Sequence, residues 1–375
     1  MTFARTKIQP PRRRAGLIPR PALDAQLAEV LATRRLVVLC APAGFGKTAV
    51  LTRQIERLSD GPAPAWVSID EDDDLQRLLE CLFAALEPFD LPWRIAPEAL
   101  GASVGHTRSE RRAVADELLN MLAATDIPRG LIVLDDLHRA EDPAVFEFLD
   151  LLIERLPDHW GLVVASRFDP PLALGRLRAA GEMAEFRMAD LRFDAHEVLQ
   201  LGELLSPGHT RPVSEGDVEL LLARTGGWAA GLRLALASVV ARRPPLKSGP
   251  SEGIEWASSG RTMDRHVFDY LASEVLGQMP VELRDFLLRC SVLSELTPER
   301  CAAVSGDRHA AERLAEIERR ELFVSVLEGT ERTLRLHDLF RDFLDDRLRQ
   351  EHPDEVPMLL ERAAAGETDP LRRTT

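Results

Sequence analysis

One short stretch, LVVLCAPAGFGKTAVL at residues 36–51, constrains the fold of this chain more than any other feature. A continuous apolar run is followed by a loop of small residues, and Lys47 and Thr48 then begin a segment with helical spacing. Gly46, Lys47 and Thr48 match the end of the phosphate-binding pattern Gly-x-x-x-x-Gly-Lys-[Ser/Thr], and Ala41 occupies its first glycine position. The stretch predicts a strand, a phosphate-binding loop and a helix, with an ordinary strand-to-helix turn as the alternative.

The predicted loop would hold phosphate groups through its backbone and the first helical turn. Small residues let successive N–H groups curl around phosphate oxygens, and the helix N-terminus adds positive potential. Lys47 would reach the β- and γ-phosphates, and the Thr48 hydroxyl would bind Mg²⁺. We predict that the following residues bind the nucleotide here: Ala41, Ala43, Gly44, Phe45, Gly46, Lys47, Thr48 and Ala49.

The scarcity of lysine makes the position of Lys47 informative. The 47 basic residues include only three lysines, Lys7, Lys47 and Lys247, and all the others are arginine. A compact ammonium group suits a tight phosphate loop, where the broader guanidinium group does not fit. The retained lysine therefore favours the phosphate-binding interpretation over the ordinary turn.

Two further apolar stretches end in charged residues. GLIVLDDLH at 130–138 supplies Asp135, which would hold Mg²⁺ through water, and Asp136, which would orient or deprotonate the attacking water. A helix-capping turn would also explain this acidic pair. GLVVASR at 161–167 ends in Arg167, which would face the same crevice and sense the γ-phosphate, unless it is an ordinary solvated arginine.

Composition narrows the classes of function. The net charge of −14 disfavours a polyanion as partner of the whole surface. We expect a soluble cytoplasmic protein, because there is no secretory signal, no apolar stretch long enough to span a bilayer, and no close pair among the four cysteines. The guanine-specific element [Asn/Thr]-Lys-x-Asp is absent, which favours ATP or ADP, with Mg²⁺, as the ligand.

Strand-like and helix-like segments alternate up to about residue 190, which predicts an α/β fold with a doubly wound parallel sheet. Helices dominate afterwards, beginning with a segment that carries a capping-box-like Asp194 and Glu197. We predict five segments: a P-loop nucleotide-binding domain at 1–190, a helical domain at 191–241, a linker at 242–262, a winged-helix domain at 263–350, and a helical tail or start of another domain at 351–375.

The winged-helix prediction rests on helices followed by a hairpin that turns at residues 328–331 and leads into a helix at 338–350. Such domains often bind DNA, but residues 262–350 contain 13 arginines and no lysine against 18 acidic residues. Duplex DNA binding depends on cationic side chains that displace counterions. We therefore expect a role within the chain, and no direct DNA binding.

The order of the motifs APAGFGKT, LIVLDDLH, VVASR, TGGWAAGLRLAL and LHDLFRDFL resembles the nucleotide-switch module of the MalT-like LuxR-family activators. These activators belong to the STAND class of signal-transduction ATPases, which is related to AP-ATPase and NACHT modules. The resemblance covers residues 5–362. It implies a module that closes over ADP and self-associates with ATP, here without the C-terminal sensor and helix-turn-helix domains of that family.

The resemblance also implies site residues outside the P-loop. Arg20 would lie near the adenine, and His337 would touch the β-phosphate of ADP, although a buried hairpin-to-helix histidine is an alternative. TGGWAAGL lies where related modules carry an adenine-contacting Gly-x-Pro loop, with Trp228 and Ala229 in place of the proline. The main competing function is a P-loop motor of the AAA⁺ type with steady turnover, and a remnant that binds nothing is a third.

Overall fold

The computed structural model describes most of the chain. The described residues are 3–12, 16–57, 63–93, 107–205, 213–241, 264–320, 322–327 and 333–365. The predicted linker at 242–262 and the predicted hairpin turn at 328–331 lie outside them. Within the described ranges, no helix combines the length and apolarity needed to cross a bilayer.

The chain divides into two compact units. The first comprises Met1–Ala41 and Gly46–Leu191, and the second comprises Pro42–Phe45 and Arg192–Thr375. The tip of the predicted phosphate-binding loop thus belongs to the second unit, whereas both ends of the loop belong to the first. The division into five segments stays a prediction.

A five-stranded sheet forms the centre of the first unit, with all strands parallel and in the spatial order β2-β3-β4-β1-β5. The strands are β1 (Leu36–Cys40), β2 (Ala65–Ser68), β3 (Gly130–Asp135), β4 (Trp160–Ser166) and β5 (Met183–Phe186). Strands β1, β3 and β4 are buried along their whole length. Burial on both faces explains their continuous apolar sequences, and the predicted parallel α/β fold is confirmed.

The first unit surrounds this sheet with helices whose packed faces are apolar. Among its largest fully buried side chains are Trp66, Phe148 and Trp160. The helices are Pro21–Thr33, Lys47–Ile55, Leu75–Ala85, Arg108–Ala123, Pro143–Arg155, Gly175–Ala180 and Met188–Leu191, with 3-10 helices at Arg5–Ile8, Glu87–Phe89 and Leu137–Arg139.

The second unit is mainly helical. Its helices are Ala195–Leu205, Glu215–Thr225, Ala229–Ala241, Asp264–Glu274, Val281–Cys290, Pro298–Ser305, Ala310–Arg319, Asp338–Glu351 and Val356–Ala365, with a 3-10 helix at Leu276–Gln278. The capping box predicted at the first of these is confirmed. The backbone N–H of Glu197 donates to Asp194 Oδ1 at 2.8 Å, and that of Asp194 donates to Glu197 Oε2 at 3.1 Å.

The predicted hairpin is present in the second unit. Strands β6 (Val324–Leu327) and β7 (Thr333–Leu336) pair antiparallel, with Val324 opposite Leu336. Leu334 of β7 also forms an isolated bridge with Leu296. His337 follows β7 directly and precedes the helix Asp338–Glu351, so the histidine lies at a hairpin-to-helix junction as the sequence predicted.

Candidate functional site

Strand order brings the charged strand ends of the first unit to one edge of the sheet. Strand β4 lies between β1 and β3, and the pairings of Cys40 with Ser166 and of Ser68 with Asp135 align their carboxyl ends. Arg167, directly after β4, therefore emerges between the phosphate-loop strand and the acidic strand. Ligands of parallel α/β sheets bind at this edge.

Lys47 is a buried cation at this edge. Lys47 is the first residue of the helix Lys47–Ile55 and is only 7% exposed, and its Nζ donates to the carbonyl oxygen of Ala41 at 2.6 Å. Burial is the main cause that lowers the pKa of Lys47, the Asp136 charge opposes it, the Arg167 charge adds to it, and the resulting pKa is about 8. The ammonium group is thus costly to hold here without additional negative charge, which phosphate groups would supply.

Thr48 and Asp135 form the adjacent pair. Thr48 Oγ1 lies 3.0 Å from each carboxylate oxygen of Asp135, and Asp135 is 3% exposed. Burial is the main cause that raises the pKa of Asp135, the neighbouring Asp136 acts in the same direction, the Thr48 hydroxyl opposes them, and the resulting pKa is about 6. A hydroxyl beside a buried carboxylate is the donor set that P-loop proteins offer to Mg²⁺.

A metal at this position would need ligands from the nucleotide. Among the described residues there is no group of three or more His, Cys, Asp or Glu side chains placed to hold a metal ion. Mg²⁺ commonly keeps several waters and takes its remaining ligands from one or two carboxylates and from phosphate oxygens. The Thr48–Asp135 pair fits that mode of binding.

Asp136 differs from its neighbour in exposure and backbone. Its side chain is 39% exposed, and its φ of +57° places it in the left-handed region, which Asp tolerates better than most residues. It precedes the 3-10 helix Leu137–Arg139. Asp135 therefore lies buried against Thr48, whereas the Asp136 carboxylate is partly exposed to solvent.

The glycines of the loop are needed at two points. Gly46 has φ of +87° and precedes the helix at Lys47, and Gly44 has φ of +80°. A Cβ at Gly44 would lie 2.6 Å from Trp228 Nε1 and 2.7 Å from Ala230 Cβ. A side chain at position 44 would therefore be strained and would also clash.

Trp228 contacts the loop tip within the second unit. Its Nε1–H donates to the carbonyl oxygen of Ala43 at 2.9 Å, and the backbone N–H of Ala230 donates to the carbonyl oxygen of Gly44 at 3.0 Å. The sequence had given no indication that Trp228 hydrogen-bonds to the loop. The one hint in the sequence was the bulky indole of Trp228 among the small residues of GGWAAG, since a large side chain at such a position usually has a specific packing partner.

Phe45 of the loop tip joins an aromatic cluster in the second unit. Its fully buried ring lies 5.9 Å from that of Phe323, which in turn lies 5.2 Å from Trp228 and 5.1 Å from Phe340. Phe323 has φ of +52°, an unusual backbone conformation for a bulky residue. The side chain of Phe45 therefore serves packing, and only its backbone would be available to phosphate groups.

The remaining predicted residues lie in separate surroundings. Arg20, in the first unit, is 6% exposed and donates through Nη1 to the carbonyl oxygen of Leu191 at 2.9 Å. His337, in the second unit, accepts at Nε2 from Arg192 Nη2 at 3.4 Å, and its ring lies 3.0 Å from where a Cβ of Gly226 would be. Burial is the main cause that lowers the pKa of His337, the charge of Arg192 acts in the same direction, and the resulting pKa is about 4. Ala49 is half-buried in the first turn of the helix that Lys47 begins.

Lys7 shows that lysine scarcity does not by itself indicate a phosphate site. It is buried in the first unit, and its Nζ donates to Asp70 Oδ2 at 2.7 Å and to Asp73 Oδ2 at 2.5 Å. These ion pairs join the N-terminal 3-10 helix to the segment that precedes the helix Leu75–Ala85. Lys7 is retained for a structural reason.

Comparisons with known proteins relate the whole chain to MalT-type regulators. Residues 272–356 match the model of the MalT winged helix domain. The chain is 31% identical over 363 residues to the HTH-type transcriptional regulator MalT of Yersinia enterocolitica, covering 96% of this chain and 38% of that protein. It is 33% identical over 371 residues to the serine/threonine-protein kinase PknK of Mycobacterium tuberculosis, covering 96% of this chain and 31% of that protein.

The fold itself resembles a solved structure. The Walker-type ATPase paby2304 of Pyrococcus abyssi superposes with a TM-score of 0.58 at 12% identity, covering 90% of this chain and 98% of that one. The chain spans roughly a third of the length of its curated relatives, 31% and 38%, so the activities of those whole proteins are not assigned to it. The resemblance to the MalT-like module is confirmed.

Proposed function

We propose that this chain is an ATP- and ADP-binding switch module of a regulatory protein, with Mg²⁺ bound beside the nucleotide. The observation that supports this most is the buried Lys47 at the start of a helix, where its Nζ donates to the Ala41 carbonyl oxygen at the beginning of the loop. It lies on the same sheet edge as the Thr48–Asp135 pair. A nucleotide polyphosphate would place negative charge beside Lys47, and its divalent cation would bind at the Thr48–Asp135 pair.

Several residues of the first unit would bind the phosphates, each with a different role. Lys47 would neutralise the β- and γ-phosphates, Thr48 and Asp135 would hold Mg²⁺, and Asp136 would orient the attacking water. Arg167, which emerges between the two strands that carry these groups, would sense the γ-phosphate. Arg20 would contact the adenine, as the resemblance implies.

The two nucleotides would produce two states. ADP would favour a closed state in which His337 touches the β-phosphate, and ATP would favour an open state that self-associates. A ligand shifts such an equilibrium only through its different affinities for the two states. Hydrolysis would then act as a slow timer, and regulation of transcription would be the output of the larger system.

Nucleotide identity and affinity test the binding proposal. We expect the purified protein to release ADP or ATP on denaturation, and calorimetry to show Mg²⁺-dependent ATP binding. Lys47→Ala should lower ATP affinity by at least about 100-fold, because it removes a charged partner of two phosphates. The matched control is Arg176→Ala, which removes an arginine whose side chain is 86% exposed. Equal ATP affinity of Lys47→Ala and wild type would contradict the phosphate-loop assignment.

Light scattering and turnover test the switch. We expect a monomer with ADP and a larger species with a slowly hydrolysed ATP analogue. We also expect slow turnover of ATP, with the product ADP tightly retained. Fast multiple turnover without self-association would favour the AAA⁺-type motor instead.

We also propose that this chain does not bind duplex DNA directly, since its net charge is −14. A salt-resistant, sequence-dependent complex in an anisotropy titration would contradict that part.

A further inference from the structure

His138 is a buried polar side chain that the roles assigned above do not use. Only 5% of its side-chain surface is exposed, and neither Nδ1 nor Nε2 has a hydrogen-bond partner among the described residues. A buried imidazole without partners costs stability, since its nitrogens lose the hydrogen bonds they made to water. Unsatisfied groups of this kind in a folded protein call for a specific explanation.

The backbone places this ring beside Asp136. The left-handed conformation at Asp136 and the 3-10 helix Leu137–Arg139 fold the chain back on itself, with the N–H of Arg139 donating to the carbonyl oxygen of Asp136 at 2.9 Å. His138 Nδ1 then lies 3.8 Å from Asp136 Oδ1. That separation is just beyond a hydrogen bond, so a small movement of either side chain would form one.

The remaining surroundings keep the ring neutral and oriented. Burial is the main cause that lowers the pKa of His138, the charges of Arg167 and Lys47 act in the same direction, and the resulting pKa is about 2. The ring packs edge-on against Phe168, with centroids 5.8 Å apart. A neutral imidazole can donate from one nitrogen and accept at the other, which suits a group that orients a carboxylate without adding a charge.

We propose that His138 is a positioning residue that donates a hydrogen bond from Nδ1 to the Asp136 carboxylate and so fixes that carboxylate for attack by water on the γ-phosphate. The inference rests on the proposed function, since it deepens the role given to Asp136. In that step the water oxygen bonds to the γ-phosphorus and the bond to the β–γ bridging oxygen breaks. ADP leaves with the electron pair, and the Asp136 carboxylate accepts the proton of the water before releasing it to solvent.

The test uses three variants of the full chain in single-turnover hydrolysis of γ-labelled ATP. His138→Phe keeps an aromatic ring beside Phe168 and removes both nitrogens, whereas His138→Asn keeps a donor near the position of Nδ1. His159→Phe is the matched control, because the Nε2 of that partly buried histidine already has partners in Thr125 and Leu122, at 3.2 Å and 3.1 Å.

We expect His138→Phe to slow hydrolysis about 10- to 100-fold, the loss typical of a misplaced reacting group, while ATP and ADP affinities stay within about threefold of wild type. Its melting temperature without nucleotide should be unchanged or higher, because the unsatisfied nitrogens are gone. His138→Asn should recover part of the rate. His159→Phe should melt at a lower temperature and hydrolyse at the wild-type rate.

Other outcomes would overturn the inference. A wild-type rate in His138→Phe would show that Asp136 needs no such partner, and a parallel loss of melting temperature, affinity and rate would indicate a purely structural histidine. Binding of ATP by the wild type without any release of phosphate would overturn it too, leaving nucleotide binding intact. If the wild type and Lys47→Ala both fail to bind nucleotide, the proposed function fails first and the inference fails with it.

Discussion

The two units each bury a histidine just before or within a helical turn, and burial lowers the pKa of both, to about 2 for His138 and about 4 for His337. Their surroundings differ. His138 lies among the charges of Lys47, Arg167 and Asp136, whereas His337 packs against Gly226 and the Phe323 ring, with Arg192 beside it.

This difference separates two ways of organising a buried region. At the strand ends of the first unit, burial shifts the pKa values of Lys47 and Asp135 toward their neutral forms. The aromatic cluster of the second unit holds the loop tip by close packing and two hydrogen bonds. We therefore expect mutations at the strand ends to change ligand binding, and mutations of the aromatic cluster to change mainly stability.

The largest expected effect concerns packing in the second unit. Phe323→Ala removes a ring that is 2% exposed and contacts Phe45, Trp228 and Phe340, so we expect a loss of about 3–5 kcal/mol in the free energy of unfolding. Urea unfolding followed by circular dichroism measures it. Val326→Ala, at a position 53% exposed, is the control and should change stability by less than about 0.5 kcal/mol. Similar values for the two variants would contradict the cluster's structural role.

The next effect is the pH dependence that Asp135, in the first region, contributes to stability. Because the pKa of Asp135 is about 6 in the folded protein and 3.8 ordinarily, the folded state holds a proton between these values that the unfolded state has lost. Its contribution to stability therefore falls as pH rises from 3.8 to 6, by roughly 3 kcal/mol in total. Asp135→Asn should lack this decline, and the difference between the two unfolding curves isolates it. Parallel curves across this range would contradict the raised pKa.

A smaller effect tests His337 as a ligand contact. His337→Ala should weaken ADP more than ATP, since we expect this histidine to meet the β-phosphate only in the closed state. Losing one hydrogen bond to a charged group costs about 1.5–3 kcal/mol, or roughly 10- to 150-fold in ADP affinity. Calorimetry with both nucleotides measures it, and His352→Ala, with a side chain 41% exposed, is the control. Unchanged ADP affinity would leave His337 with packing alone, like the rest of its cluster.

The smallest effect concerns one hydrogen bond at the loop tip. Trp228→Phe removes the Nε1–H that donates to Ala43 but keeps an aromatic ring beside Phe323 and Tyr270. We expect it to cost about 1 kcal/mol in unfolding free energy, the usual net value of such a bond. A loss as large as that of Phe323→Ala would mean that the indole, rather than the cluster as a whole, holds the tip.

Much of the first unit was predictable because its information is local. Apolar runs predicted β1, β3 and β4, and the small residues before Lys47 predicted the loop and the helix after it. β5 was not predicted, because it has only four residues, three of them half-buried, and lacks a continuous apolar run. The helix Pro21–Thr33 was likewise not predicted, although Pro21 at its first position is a common start signal.

Sequence by itself determined which chemical groups follow which strands: a lysine and a threonine after β1, two carboxylates at the end of β3, and an arginine after β4. These depend on spacing along the chain, which periodicity and residue type express directly. Tertiary structure alone decided that β4 lies between β1 and β3, that Trp228 hydrogen-bonds a loop residue 185 positions earlier, and that His138 is buried beside Asp136. These features depend on desolvation and on contacts between residues far apart in the sequence, and local sequence patterns do not reveal either.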